Sequence, residues 1–240
     1  MREKAIAWGV QAYTALGLVT GCVALRAVLR ADMRSAFLWL ALSTLIDGTD
    51  GPLARRFRSA QILPGFNGRK LDDIADYFNY VVVPALILAR SDLLPAGRWA
   101  WAMVPMLASA YGFCQEEAKT EDGYFTGFPS YWNIAVLYLF LFTFPRTLNL
   151  LFVLALALLV FIPIRYIDPF KTKPLGWLTR PLTIAWAVSA LALIILMPDV
   201  NPLLLRASFL YPCYYLIASF WINTRLRRTP QQLEPRMHTD

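Results

Sequence analysis

Histidine is almost missing from this chain: His238 is the only one in 240 residues, and it lies in a polar C-terminal stretch. Histidine-ligated metal sites and catalytic pairs built on imidazole are therefore excluded. Cysteine is nearly as scarce. Cys22, Cys114 and Cys213 lie in or beside apolar segments without metal-ligand spacing, which argues against a disulfide framework and predicts core positions for all three. Charge is thin too, at 16 % Asp, Glu, Lys and Arg, where soluble domains carry about 25 %. No internal repeat, low-complexity tract or water-soluble domain is discernible.

What is there is apolar: 58 % of the residues are hydrophobic. Residues 5–25, 128–145, 147–164 and 181–198 contain no charged side chain. Runs of about 18 or more such residues read as membrane-crossing helices. The first run is long and has no obvious cleavage site after it, so it reads as an anchor and not a removable leader. The expectation is an all-α, polytopic membrane protein with about eight spans, near 5–25, 35–54, 71–91, 97–115, 129–145, 147–164, 178–198 and 203–222. Residues 1–224 form one membrane domain in this reading, and 225–240 a short polar tail.

The net charge of +7 invites a nucleic-acid reading, but its distribution speaks against one. With the N-terminus inside, 16 of the 23 Lys and Arg residues fall in cytoplasmic segments. That bias predicts both termini in the cytoplasm, together with the loop between spans two and three. The basic group Arg56, Arg58, Arg69 and Lys70 then anchors the loop to anionic lipid.

The same loop region concentrates the acids. Asp50, Gly51 and Ala54 follow Asp47 by three, four and seven residues, one stripe of a helix, and Asp72 and Asp76 are four apart. Two antiparallel neighbours can aim all four carboxylates at one another at the cytoplasmic end of helices 2 and 3. Four acids at a membrane edge repel unless something positive holds them. An all-oxygen donor set suits Mg²⁺ or Mn²⁺. Gly51 and Ala54 leave room for a ligand near the backbone, and Arg55 stands one turn from Gly51, placed for a phosphate. Pro52 withholds a donor from the Gly48 carbonyl, so the helix is expected to open there. Cations plus arginine against a diphosphate is the equipment of phosphoryl transfer.

The run from Asp47 to Asp76 resembles the signature of the CDP-alcohol phosphotransferases, Asp-x-x-Asp-Gly-x-x-Ala-Arg followed by Gly-x-x-x-Asp-x-x-x-Asp, with Gly68 as the second glycine. The resemblance implies two divalent ions on Asp47, Asp50, Asp72 and Asp76, with Asp76 also the base that deprotonates the acceptor alcohol. It implies a CDP-lipid pocket lined by Gly51, Ala54, Arg55 and Gly68. Twelve residues separate Arg55 from Gly68, more than in most of the family. This spacing, with DGPLARR, DYFNYVVVPA and KTEDGYFTGFPSYWN, is similar to the bacterial phosphatidylcholine synthases, which implies CDP-diacylglycerol and choline as substrates and a bacterial inner membrane as the location. RYIDPF resembles that group too, although histidine is more usual there than Asp168.

The acceptor is read separately. The loop after the fourth span carries Glu116, Glu117, Glu121 and Asp122 against one Lys119, amid Tyr111, Phe113, Tyr124, Phe125, Phe128, Tyr131 and Trp132. Acids with aromatic faces suit a quaternary ammonium, while interfacial anchoring explains the aromatics equally well. Tyr77, Glu116 and Trp132 are the candidate acceptor contacts. Serine, glycerol phosphate or inositol phosphate are alternative acceptors, and a cation transporter is the rival of a different class. Gly17 and Gly21, four apart in the first span, suit either packing within the bundle or a homodimer.

Overall fold

The computed structural model describes residues 1–116, 118, 120 and 122–228. Helix α1 (Arg2–Leu29) is followed by α2 (Met33–Arg56), which starts where Asp32 accepts a hydrogen bond from Ser35 N at 3.0 Å. A single turn, α3 (Ser59–Ile62), leads to α4 (Gly68–Tyr77), capped by Asn67 through Lys70 N at 3.0 Å. Without a break, α4 passes through a π-helical turn (Phe78–Val82) into α5 (Val83–Arg90). Then come α6 (Arg98–Phe113), β1 (Tyr124–Thr126), α7 (Trp132–Phe142), α8 (Arg146–Phe161), β2 (Arg165–Ile167), α9 (Gly176–Ile195) and α10 (Pro202–Arg228).

The all-α expectation holds apart from one ribbon. Strands β1 and β2 pair antiparallel, with Tyr124 opposite Ile167 and Phe125 opposite Tyr166. Eight helical rods coincide with the eight expected segments, but among the described residues only α1, α9 and α10 are long and apolar enough to cross a membrane. Helix α2 has the length and carries the acids. Helix α7 has only 11 residues, because Pro129 and Ser130 precede its start and Thr143 turns into left-handed backbone after its end. At about 1.5 Å per residue it is far short of a 30 Å hydrocarbon core. Helix α10 continues to Arg228, four residues into the expected tail; 229–240, with His238, lies outside the described residues.

The outside of the bundle is apolar. Leu107, Val188, Leu203, Leu210 and Ile217 are all well exposed, the surface expected where lipid and not water is the solvent. Cys22 and Cys114 are exposed and Cys213 is half-buried, so the core positions predicted for them are wrong. A small apolar side chain is as content against acyl chains as in a core, and sequence alone does not tell the two apart. Polar pairs stitch the inside instead. Thr20 meets Ser43 at 2.6 Å and Tyr13 meets Thr49 at 2.8 Å between α1 and α2, while Tyr138 meets Ser208 at 2.6 Å between α7 and α10.

Gly17 and Gly21 belong to this internal packing. A Cβ on Gly21 would stand 2.1 Å from Asn79 Oδ1 and 2.7 Å from the Phe78 ring, and Asn79 Nδ2 donates to Gly17 O at 2.9 Å. The stripe therefore seats the π-turn against α1, and a second copy has no access to it.

Candidate active site

Two rods meet at the acids. Asp47 and Asp50 lie on α2, Asp72 and Asp76 on α4, and all four line one cleft with Thr14, Gly17, Ser43, Asn79 and Tyr80. Carboxylate oxygens of Asp47, Asp50 and Asp72 lie within 4.8 Å of one another. Opposite oxygens around an octahedral Mg²⁺ are about 4.2 Å apart. Adjacent ones are about 3.0 Å apart, so the trio could hold one hard divalent cation once its carboxylates draw closer together. Asp50 and Asp76 are buried, whereas Asp47 and Asp72 are half-buried at the mouth.

Asp47 is oriented by a residue the sequence reading did not single out. Tyr80 Oη donates to Asp47 Oδ2 at 2.7 Å, from a ring that is only 7 % exposed. Asn79 and Tyr80 follow Asp76 by three and four residues, on the same face as Asp72 and Asp76, and both line the cleft from the π-turn at Phe78–Val82. The word DYFNYVVVPA held this residue, and its spacing of four from Asp76 was the signal that could have found it.

Helix α2 runs unbroken through Pro52, so the expected opening there does not occur. Gly51 and Ala54 are half-buried, and Arg55 is exposed with its Nη1 folded back to 3.4 Å from where a Gly51 Cβ would stand. The guanidinium thus lies along the same helix as Asp47 and Asp50, at the open end. Gly68 is explained locally: a Cβ there would stand 2.7 Å from the amide oxygen of buried Gln11. Its missing side chain lets the start of α4 close on α1.

The three acceptor candidates are less well placed. Trp132 is fully buried, with its indole N–H donated to Ser109 Oγ at 2.8 Å. Tyr77 donates to the Met106 carbonyl at 2.9 Å and packs edge-on against Phe113. Both rest on α6, and Glu116 is exposed. Asp122 pairs with Arg165 at 3.3 Å, so part of the acidic loop's charge is already engaged; Glu117, Lys119 and Glu121 lie outside the described residues.

No family model matches the chain. It is 35 % identical over 224 residues to the phosphatidylcholine synthase of Pseudomonas aeruginosa, covering 93 % of this chain and 94 % of that protein. Against the Legionella pneumophila phosphatidylcholine synthase it is 34 % identical over 227 residues, 90 % of this chain and 88 % of the relative. Against the Borreliella burgdorferi protein of the same name it is 31 % identical over 228 residues, 92 % and 96 %. With identity of this order along almost the whole length of each, and the paired aspartates of α2 and α4 facing one another, the chain belongs to the phosphatidylcholine synthase family of CDP-alcohol phosphotransferases.

Proposed function

We propose that this protein transfers the phosphatidyl group of CDP-diacylglycerol to choline and releases CMP. The observation that carries the reading is the convergence of Asp47, Asp50 and Asp72, with Asp76 in the same cleft, from two helices onto a space the size of a hard cation. The relatives' names supply the acceptor. Asp47, Asp50, Asp72 and Asp76 would hold two divalent ions, Mn²⁺ or Mg²⁺. When bound, such ions neutralise the diphosphate and favour charge on the departing CMP.

The chain's own residues do the rest in this reading. Arg55 grips a phosphate oxygen at the open end of α2, while Gly51 and Ala54 let the cytidine diphosphate lie close to the helix. Gly68 contributes by letting α4 approach α1. Asp76 takes the proton of the choline hydroxyl. The choline oxygen then forms a bond to the phosphorus that carries diacylglycerol, and the bond from that phosphorus to the CMP oxygen breaks with its electron pair leaving on CMP. Tyr80 keeps Asp47 in place throughout.

The rods are proposed to make eight crossings of a bacterial inner membrane, with both termini and the cleft on the cytoplasmic side, as the distribution of Lys and Arg favours. The short α7 reaches the required depth only together with the turns at its ends. The polar pairs within the bundle and the apolar exterior support lipid entry from the side.

The test uses the purified chain in detergent–lipid micelles with CDP-diacylglycerol, Mn²⁺ and labelled choline. Labelled phosphatidylcholine that vanishes with chelator supports the reading. CMP release with serine but not choline would keep the chemistry and overturn the acceptor.

A further inference from the structure

A transfer site for choline needs somewhere to put a trimethylammonium group, a short carbon link away from the hydroxyl that Asp76 deprotonates. The sequence candidates do not supply it, since Trp132 gives its indole N–H to Ser109 and Tyr77 its hydroxyl to the Met106 carbonyl, both on α6. Another set of side chains converges beside the aspartates from three distant parts of the chain.

Tyr131 stands at the N-terminal cap of α7 and is half-buried. Two residues on, Asn133 Nδ2 donates to Thr44 Oγ1 at 3.3 Å, which ties the start of α7 to α2 one turn before Asp47. The Tyr131 phenol lies within electrostatic range of Asp47, Asp76 and Asp168 together. Its ring meets Tyr215 of α10 at 6.2 Å between centroids and Phe125 at 6.1 Å, both edge to face. Tyr215 stacks in turn on Tyr166 of β2 at 6.3 Å, and Ile167 N donates to Ser219 Oγ at 3.2 Å, fastening β2 to α10 one turn past Tyr215.

Two features of this cluster are unusual for plain core. The Tyr166 and Tyr215 hydroxyl oxygens are both buried and have no hydrogen-bond partner among the described residues. Burial pushes the Tyr166 phenol up to about 12, so it stays neutral. Buried polar atoms left unmatched ask for an explanation, and polarised N-methyl groups offer one through weak C–H···O contact. The second feature is Asp168, whose side chain is only 13 % exposed and which lies within range of Tyr131 and Tyr215. Its Oδ1 accepts from Phe170 N at 3.0 Å and Lys171 N at 3.1 Å, which fixes its orientation, and Lys171 Nζ lies 3.3 Å from Oδ2 at the solvent side.

We propose that Tyr131, backed by Tyr215, Tyr166 and Asp168, forms the subsite for the acceptor's quaternary ammonium and selects methylated over primary amines. Aromatic faces attract a cation that has no hydrogen-bond donor, and the fixed Asp168 carboxylate adds what charge its Lys171 pair at the solvent side leaves unbalanced. The subsite rests on the choline reading above. Tyr131 is its hinge, because Asp47, Asp76 and Asp168 all lie within electrostatic range of its phenol.

The experiment measures initial rates of the full chain in micelles, varying choline at saturating CDP-diacylglycerol and then the reverse. Tyr131→Leu is expected to raise the KM for choline about tenfold or more, with the KM for CDP-diacylglycerol unchanged. Tyr131→Phe, which keeps the ring, is expected to stay near wild type. Asp168→Asn is the second variant, because its amide oxygen can still accept from Phe170 N and Lys171 N; a choline KM raised several-fold is expected there. Choline should also outcompete dimethylethanolamine and ethanolamine for the wild type and lose that lead in Tyr131→Leu. Unchanged choline KM in both Tyr131→Leu and Asp168→Asn overturns the subsite while the wild-type activity leaves the function standing. A wild type that makes no product from choline overturns the function, and the subsite with it.

Discussion

Tyr80, on the π-turn between α4 and α5, donates its phenolic proton to Asp47 Oδ2 on α2 at 2.7 Å. One side chain thereby ties the two aspartate-bearing rods together at the candidate cation site. Carboxylates held by such a partner are pre-aimed, and loss of the partner typically weakens metal affinity about 10- to 100-fold. Tyr80→Phe keeps the ring and removes the donor. Titration of Mn²⁺ by electron paramagnetic resonance should therefore show a loss of that order with the fold intact. Unaltered Mn²⁺ affinity would separate Tyr80 from the site.

Asp76→Asn addresses the proton transfer. Asp47, Asp50 and Asp72 can gather one cation without it, so Mn²⁺ binding should persist in part. Turnover should fall by about 10²- to 10⁴-fold, the usual contribution of a positioned base. Release of CMP and bound Mn²⁺ are measured on the same preparation; a variant that turns over normally removes Asp76 from the role of base.

Gly21→Ala tests the seat of the π-turn. The added methyl would meet the Phe78 ring at 2.7–2.8 Å as well as the Asn79 amide, and a ring in a packed position yields poorly. Overpacking of this kind costs about 1–3 kcal/mol. A lower thermal midpoint in detergent is expected, together with weaker Mn²⁺ binding, since Asn79 and Tyr80 are neighbours. A midpoint equal to wild type would mean that the turn shifts freely.

Tyr166→Phe probes a buried hydroxyl. The wild-type phenol holds its proton until about pH 12 in the folded state, against 10.0 for the ordinary group. Its contribution to stability is complete below pH 10 and is lost as pH rises from 10 to 12, by about 2–3 kcal/mol in all. The phenylalanine variant should unfold at a higher temperature than wild type at pH 11. Near neutrality it should match or exceed wild type, because the removed oxygen had no partner among the described residues. Equal alkaline sensitivity in the two proteins would contradict this.

The aspartate cluster was legible because helical spacing is local. Asp47 and Asp50, or Asp72 and Asp76, share a face whatever the rest of the chain does, and a hydrophobic chain tolerates such acids only around a cation. The membrane class was legible for a similar reason, since long uncharged runs have few alternatives. Boundaries were less so. Asn67 starts α4 three residues ahead of the expected span through a side-chain cap on Lys70 N, and Pro129 with left-handed Ser130 shortens α7, both local backbone effects that hydropathy averages over.

What the order of residues determined by itself, then, is the class of protein, the helical rods and the two carboxylate stripes, because each depends on contacts within one or two turns. The tertiary structure decided which stripes face each other, that Tyr80 reaches Asp47, that Gly68 and Gly21 serve close packing, and that Tyr131, Tyr166 and Tyr215 gather although up to 84 residues of sequence separate them. Those outcomes depend on how several rods close on one another. Burial and shape matching across distant segments govern that closure, and neither is written in the periodicity of any single helix.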